Sequence, residues 1–497
     1  MDNCGFHIYI FAQMKMKDKK KDIIYITILI FVLLLAFALR YYFNPMDIED
    51  APITYRYAKN IAEGNGFVYN SGERVLGTTT PLYTIILAFF NYVGFDLFFI
   101  SNLIGLFSAL ASCILIYLIF KDNNQPKIGL LAAFFLAILN DFVIYTMNGM
   151  ETSFYVMLIL LSFYLYQKKK YVLTSIALAL VSLTRPDGLI LALVIFLHYI
   201  WTKKQIPWKL ITIFILLLLP WVIFSVYRFG SPLPNSLAAK QLHVKIEPFF
   251  LRTLGFFYDR SYLILMPFLL IGTIFLIKKK EKKLYPLLLW AILYIIAYTI
   301  VNVDAYAWYF IPLVPVFIGI SSYGILYISN ILKRALKNRI ISKIFVLVLC
   351  LIILSTSILG TYHYINKVDS NWRNYKYIGL WLKNNTKEDS TIMLGAIGYI
   401  GYYSERKIID SAFLITKIPT KDKVTYYEAV NELYLKYKPD YFIEKDFNDI
   451  GQEIKFVNSD YILIKNFTMV RNYRTEDLRF SVNYNDNWLI YKRKDLK

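Results

Sequence analysis

The segment from Met46 to Pro81 carries side chains able to do acid–base chemistry and to bind anions, and it lies between two strongly apolar segments. Three acids, Asp47, Glu49 and Asp50, follow the apolar run of residues 23–43. That run is long enough to cross the roughly 30 Å of hydrocarbon in a bilayer as a helix. The acids are therefore expected where the chain leaves a membrane, which indicates chemistry at the membrane surface.

A short helix is predicted directly after these acids. Pro52 suits the first turn of a helix, and Ile53, Tyr57 and Ile61 follow at fourfold spacing, as on one face of a helix. The glycines of residues 64–66 end it. We expect this helix to lie flat on the membrane, with Arg56 and Lys59 on its other side.

Glu49 and Asp50 precede the positive end of that helix. A carboxylate there is favoured in its ionised form, which is the form that a general base needs at neutral pH. The simpler alternative is that Asp50 only caps the helix. A divalent cation between the two acids stays open, but the oxygen ligands are too few to predict one, and no cofactor is predicted.

Composition and charge point to a membrane protein with many spans. Hydrophobic residues make up 57% of the 497 residues, and apolar runs recur along most of the chain. The formal charge of +20 comes largely from lysine clusters between those runs, which argues against nucleic-acid binding and marks cytoplasmic loops. Eleven spans are predicted, near residues 23–43, 97–120, 128–147, 151–167, 171–184, 188–202, 208–227, 259–277, 284–302, 308–330 and 343–363.

The domain organisation follows from these spans. Residues 1–22 are predicted to form a cytoplasmic tail and residues 23–365 a transmembrane domain with a first outer loop at 44–80. From residue 366 to 497 the apolar runs shorten and charges alternate with aromatics, which predicts a small α/β domain outside the membrane. A helix is expected in WRNYKYIGLWLKNNTKEDS, residues 372–390, with Tyr377, Leu380 and Trp381 on one face. Strands are expected at TIMLG, DYFIEK, YILIKNF and NWLIYKR.

Residues 81–93 are too short for an untilted span and predict an interfacial helix.

Four further polar motifs fall on the same predicted side of the membrane. They are NGMETS at residues 148–153, LTRPDG at 183–188, YRFGSPLPNSLAAK at 227–240 and VDAYAWYFIP at 303–312. Arg185 lies at a span end, where a guanidinium is costly to bury without an anion, so it is a candidate phosphate ligand. The alternative is a structural ion pair of Arg185 with Asp187 or Glu151.

Cationic and aromatic side chains complete the candidate site. Lys240, His243 and Arg228 make one loop cationic, although each also suits a solvated loop. Tyr306, Trp308 and Tyr309 can stack on a sugar face, but they also fit an aromatic belt at a membrane interface.

These motifs, in their order, carry a resemblance. EDAPITYRYAKNIAEGNGFVYNSGERVLGTTTPL, NGMETS, LTRPDG and GSPLPNSLAAK resemble signature segments of a prokaryotic family of GT-C polytopic glycosyltransferases that includes terminal arabinofuranosyltransferases. GAIGYIGYYSERKIID and KYKPDYFI are similar to the outer C-terminal domain of those proteins. The resemblance covers residues from about 44 to 445. Relatives usually have two adjacent aspartates where this chain has Glu49 and Asp50, which makes Asp50 the safer candidate base.

The resemblance implies a multi-pass enzyme of the cell membrane with an extracytoplasmic active site. It would transfer one sugar from a polyprenyl-phosphate-linked donor to a glycan, lipid or protein acceptor. We expect an inverting displacement with Asp50 as base and Glu49 as its helper. The predicted phosphate ligands are Arg185, Lys240, Arg228 and Arg74, and the predicted substrate-binding residues are Arg56, Glu151, Asp187, Asn235, His243, Tyr306 and Trp308.

Other functions stay open at this point. A ligase that transfers whole lipid-linked oligosaccharides or polysaccharides is the main alternative, although the WWD signature of oligosaccharyltransferases is absent from the C-terminal region. A secondary transporter would place charges at mid-membrane in repeated halves, whereas the polar motifs here gather at one predicted surface. A non-catalytic membrane scaffold would need no cluster of acids and arginines.

Overall fold

The computed structural model describes residues 3–44, 47–242, 247–258, 260–302, 306–417, 426–446, 460–474 and 481–496. Within these ranges a helical bundle is followed by a five-stranded mixed sheet. The first helices are α1 (Asn3–Phe43), α2 (Ala51–Ala62), α3 (Pro81–Tyr92), α4 (Leu97–Lys121), α5 (Pro126–Ile138), α6 (Asn140–Thr146), α7 (Thr152–Gln167), α8 (Tyr171–Thr184) and α9 (Gly188–Lys203).

The second half of the chain contains the remaining helices and the sheet. The helices are α10 (Trp208–Phe229), α11 (Asn235–Leu242), α12 (Phe249–Phe256), α13 (Arg260–Lys278), α14 (Tyr285–Val301), α15 (Val314–Ala335), α16 (Arg339–Asn385), α17 (Tyr399–Ser404) and α18 (Tyr426–Tyr437). The strands are β1 (Thr391–Leu394), β2 (Lys407–Asp410), β3 (Tyr441–Asp446), β4 (Tyr461–Arg474) and β5 (Ser481–Arg493).

Fewer helices are long enough to span a membrane than the sequence predicted. In the described part of the chain, seven helices are long and apolar enough, or eight if the bent pair α5 and α6 forms one span. Helices α7, α8 and α9 cover three predicted spans but have only 16, 14 and 16 residues. A straight span needs about 20 residues, so length alone does not support eleven.

The bent pair α5 and α6 owes its geometry to a buried arginine. The two helices meet at 62°, and such a break leaves carbonyl groups without partners inside the helix. Arg40, near the end of α1, donates to the Ala137 carbonyl at 3.0 Å and to Thr146 Oγ1 at 3.0 Å. The arginine thus supplies a hydrogen-bond donor to a carbonyl group beside the break and fixes the chain that leads into the NGMETS motif.

Helix α2 is buried on two faces, whereas the sequence predicted a helix with one apolar face against the membrane. Ala51 and Tyr55 pack in the core of the membrane bundle. Ile53 and Tyr57, predicted to face the membrane, instead pack against the C-terminal domain. The 3.6-residue period was correct, but it cannot say which of two apolar partners a face will meet.

The C-terminal sheet is covered on both sides. Its order is β2-β1-β3-β5-β4, with β1 parallel to β2 and β3, and β5 antiparallel to β3 and β4. Side chains alternate between faces along a strand. Ile392 of β1 therefore packs with Ile378 of α16, whereas Met393 packs with Leu433 of α18.

Four predicted strands are present, and β2 was not predicted. The helix predicted within residues 372–390 is the end of α16, a single helix that starts in the membrane bundle and ends at Asn385. Its buried face carries Ile378 and Leu382, whereas Tyr377, predicted on that face, is exposed. The domain boundary at residue 366 stays a prediction.

Hydrogen bonds join the first outer loop to the C-terminal domain. Glu49 Oε1 accepts from the Gly398 amide at 2.6 Å, at the start of α17. Arg56 donates to the carbonyl oxygens of Gly401 and Arg406, each at 2.6 Å. Tyr69 Oη donates to the Ile397 carbonyl at 2.5 Å. These bonds end on backbone atoms of the C-terminal domain, so the contact between the loop and the domain depends on the backbone conformation of residues 397–406.

We expect Gly398→Ala to loosen this interface. A Cβ at Gly398 would lie 1.7 Å from the Glu49 carbonyl oxygen, so the backbones must separate. Overpacking of this kind costs about 1–3 kcal/mol. Thermal unfolding of the purified protein should begin at a lower temperature, and protease should cut the junction faster.

Gly255→Ala is the matched control, because a Cβ at Gly255 meets nothing within 4 Å. Unchanged unfolding in Gly398→Ala would show that the two parts do not depend on this contact.

Candidate active site

One cavity is lined by five of the acids and cations that the sequence predicted for the site. Its volume is about 160 Å³. It lies among the first outer loop, the loops after α6 and α8, helix α11 and the segment after α14. Its polar and aromatic lining residues are Asp50, Thr54, Thr78, Thr79, Thr80, Glu151, Arg185, Asp187, Ser236, Lys240, Tyr298, Trp308 and Tyr309.

Asp50 stands at the start of α2 but its carboxylate does not cap that helix. In the described loop its side chain accepts no hydrogen bond from the first turn. The side chain lines the cavity instead. The capping alternative therefore does not describe the geometry seen here, and the carboxylate is free to meet a ligand.

The electrostatics of Asp50 differ from the expectation based on the helix dipole. Burial raises the pKa of Asp50 above the ordinary carboxyl value, and the positive charge of Lys240 acts in the opposite direction. Burial is the larger effect, because the hydration energy that the charge loses exceeds what the attraction of Lys240 returns. A carboxyl with a raised pKa is a stronger base once ionised, which suits proton removal.

Arg185 is held between two carboxylates. Its Nε lies 3.2 Å from Asp187 Oδ1, and one of its terminal nitrogens lies 3.6 Å from Glu151 Oε1. Tyr298 Oη donates to the other Asp187 oxygen at 2.8 Å. The ion pairs weighed as the structural alternative are thus both formed. Arg185 nevertheless lines the cavity, so its guanidinium can also face a ligand.

Lys240 is the cation whose charge faces Asp50. It lies on α11, and its Nζ donates to Tyr309 Oη at 2.7 Å. The same ammonium lies 5.1 Å from the centre of the Tyr309 ring and 5.7 Å from that of Tyr306. A tyrosine hydroxyl does not neutralise an ammonium, so Lys240 keeps a net charge with which to attract an anion.

Glu49 points away from the cavity. Its carboxylate accepts from the Gly398 amide, which places it in the interface with the C-terminal domain. Burial, followed by the charge of Asp50, raises the pKa of Glu49 well above its ordinary value. Neighbouring residues in the sequence therefore have different surroundings, and only the second lines the cavity.

Several other predicted residues lie outside the cavity. Arg56 and Asn235 bind carbonyl oxygens of the C-terminal domain. Arg74 is exposed and Arg228 is half-buried near the end of α10, and neither lines the cavity. His243 lies outside the described residues.

The aromatic residues of the VDAYAWYFIP motif divide between two environments. Trp308 is buried and lines the cavity, whereas Tyr306 is 45% exposed and stacks on Trp308 at 4.7 Å between ring centres.

Several lining residues were missed, or given only part of their role, by sequence reasoning. Tyr298 gave no signal because it lies inside an apolar helix. Leu414 lines the cavity from the C-terminal domain and has no local motif. The threonines at 78–80 belong to the quoted segment but were given no role. Tyr309, named only as a possible stacking residue, also binds Lys240.

Asp47, the third acid of the loop, is buried and accepts hydrogen bonds from side chains of α2 and α4. It accepts from Tyr55 Oη at 2.5 Å and from Asn102 at 2.9 Å, and burial raises its pKa to about 7.

Comparison with solved structures gives two kinds of similar protein. The oligosaccharyltransferase AglB from Archaeoglobus fulgidus, solved with an inhibitory peptide and a dolichol-phosphate, has a TM-score of 0.59 at 13% identity, covering 85% of this chain and 69% of AglB. ArnT from Cupriavidus metallidurans, solved with undecaprenyl phosphate, has a TM-score of 0.53 at 8% identity, covering 95% and 98%. The fold resembles that of GT-C membrane glycosyltransferases.

Sequence comparisons match a smaller part of the chain than the structural comparisons do. Residues 364–491 match the model of a domain of unknown function, DUF8728. A search of curated proteins gives no match. The nearer resemblance to the family that includes arabinofuranosyltransferases stays a prediction.

We expect Lys240→Gln to raise the pKa of Asp50 further, because it removes the charge that lowers that pKa. Carbodiimides react with protonated carboxyl groups, so labelling of Asp50 should persist to higher pH in the variant than in the wild type. Peptide mass spectrometry across a pH series measures the midpoint.

Lys59→Gln serves as the control, since Lys59 pairs with Glu405 at 2.6 Å outside the cavity. Equal midpoints in Lys240→Gln and wild type would mean that the two charges do not interact.

Proposed function

We propose that this protein is a membrane glycosyltransferase that transfers one sugar from a polyprenyl-phosphate-linked donor to an acceptor hydroxyl at the outer membrane face. The observation that carries the proposal is the cavity, in which a carboxylate, Asp50, faces an ammonium, Lys240. The similarity of the fold to ArnT, which was solved with undecaprenyl phosphate, supports the class of donor.

The proposed reaction is a single inverting displacement. The acceptor oxygen attacks the anomeric carbon of the sugar as its proton passes to the Asp50 carboxylate. The bond from that carbon to the phosphate oxygen breaks, and the lipid phosphate leaves from the opposite face with the electron pair. The sugar therefore changes anomeric configuration, and the base is ready again once it releases the proton.

The leaving phosphate gains negative charge, which a cation must offset. We assign this role first to Lys240, whose ammonium forms no ion pair with a carboxylate among the described residues. We assign Arg185 to orienting the phosphate as well as to binding it, because Asp187 and Glu151 already balance the charge of its guanidinium. Arg74 and Arg228, which do not line the cavity, are dropped from the proposed phosphate site.

Transfer of a whole lipid-linked oligosaccharide is the second candidate, and the TM-score of 0.59 with AglB favours it. The mass of the product separates the two reactions. One added sugar unit supports the proposal, and a block of several added in one step supports the oligosaccharyltransferase.

Asp50→Asn should lower turnover on the order of a hundredfold or more, because the amide cannot accept the proton. The fold should survive, since the carboxylate makes no cap in the described loop. Turnover with a polyprenyl-phosphate sugar and thermal unfolding of the same preparation test both statements.

Glu49→Gln is the matched control. The raised pKa of Glu49 favours its neutral form, and a glutamine amide resembles that form and can still accept from Gly398. Its turnover should stay close to wild type. A well-folded Asp50→Asn protein with wild-type turnover would remove Asp50 from the chemistry.

The proposed site requires the C-terminal domain to be outside the cell. Lysine clusters at residues 168–170 and 278–283 predict cytoplasmic loops. In a variant without Cys4, Cys113 and Cys350, a cysteine at Lys280 should react only from the cytoplasm and one at Lys387 only from outside. The reverse pattern would place Asp50 in the wrong compartment for the proposed donor.

A further inference from the structure

A turn of the C-terminal domain is built around one buried carboxylate. Asp410 ends β2, and its side chain accepts from the amides of Ala412 at 2.7 Å, Leu414 at 2.5 Å and Ile415 at 2.9 Å. Asp410 is fully buried. One side chain therefore determines the path of residues 410–416, which we call the Asp410 turn.

The Asp410 turn is tied directly to the helix that carries Lys240. Asn235, at the first position of α11, donates from its side-chain amide to the carbonyl oxygens of Phe413 at 2.6 Å and Thr416 at 3.1 Å. Lys240 lies five residues further along the same short helix. Movement of the turn would therefore move the start of α11 and, with it, the ammonium.

The first outer loop holds the other side of this junction. The backbone N–H of Asn235 donates to the Leu76 carbonyl oxygen at 2.7 Å. A Cβ at Gly77 would lie 2.6 Å from a methyl group of Ile415, so the loop and the turn are in close contact. Leu414 of the turn also lines the cavity. Three distant segments of the chain thus meet behind the proposed phosphate ligand.

We propose that Asp410 is a positioning residue that sets the place of Lys240 in the cavity through the Asp410 turn and Asn235. The functional part of this statement rests on the proposed function, in which Lys240 offsets the charge of the leaving phosphate. The C-terminal domain then contributes to the active site and is not only a support for the bundle.

A second aspartate of the same sheet offers a matched control. Asp440 accepts from the Thr391 amide at 2.9 Å and from Thr391 Oγ1 at 3.0 Å. Its carboxylate also holds backbone in place, but in the described part of the chain it does not line the cavity and forms no hydrogen bond or ion pair with α11. Asp440→Asn should destabilise the domain without displacing Lys240.

The test measures Lys240 directly. In Asp410→Asn an amide group replaces one acceptor oxygen, so at least one buried amide of the turn loses its partner. Lys240, released from Tyr309, should then react several-fold faster with an amine-acylating reagent at mildly alkaline pH, as read by peptide mass spectrometry. Asp440→Asn should leave that rate at the wild-type value.

Asn235→Ala keeps the proposal falsifiable if Asp410→Asn does not fold, because it cuts the link and leaves the turn's own hydrogen bonds. It should also speed acylation of Lys240 and raise the KM for the donor. An unchanged acylation rate in either folded variant would overturn the proposal. Acylation of Lys240 needs no sugar donor, so the two tests are independent. If the variants show the expected faster acylation but the wild-type protein transfers no sugar, only the proposed function is contradicted.

Discussion

Burial of α2 between two different partners holds the candidate site together. Tyr55 on one face packs with the membrane bundle, and Ile53 and Tyr57 on the other pack with the C-terminal domain. Burying a side chain of this size on each face contributes about 1.5–3 kcal/mol. Asp50 precedes the first residue of this helix, so both contacts fix its position.

The charges in the cavity follow from that burial. A carboxylate and an ammonium held in a partly dry cavity interact more strongly than on a surface, and neither gains the full hydration of water. Asp50 and Lys240 are in this situation, whereas Arg185 is balanced by Glu151 and Asp187. An anionic ligand would replace part of the hydration that Lys240 loses, which favours a phosphate over a neutral group at this end of the cavity.

The sequence predicted local features well and long-range partners poorly. Apolar runs located the helices of the bundle, and proline and glycine located the ends of α2, because these signals depend on adjacent residues. The predicted eleven spans exceed the seven or eight helices of the described residues that are long and apolar enough to cross a membrane, because runs of 14–16 apolar residues look alike whether they cross a membrane or end inside a bundle. The different directions of Glu49 and Asp50 depend on Gly398, nearly 350 residues away along the chain, and no local pattern encodes that. Leu414 and Tyr298 were missed for the same reason.

In the proposed function a lipid phosphate that carries one sugar binds beside Asp50, and the lipids of cells that lack this activity test that placement most directly. A strain whose only copy of the gene carries Asp50→Asn should accumulate a polyprenyl phosphate bearing one sugar, and mass spectrometry of the lipid extract would identify it. Restoring the wild-type gene should remove the accumulated lipid. Accumulation of a lipid-linked oligosaccharide instead, or a lipid profile identical to wild type, would contradict the account.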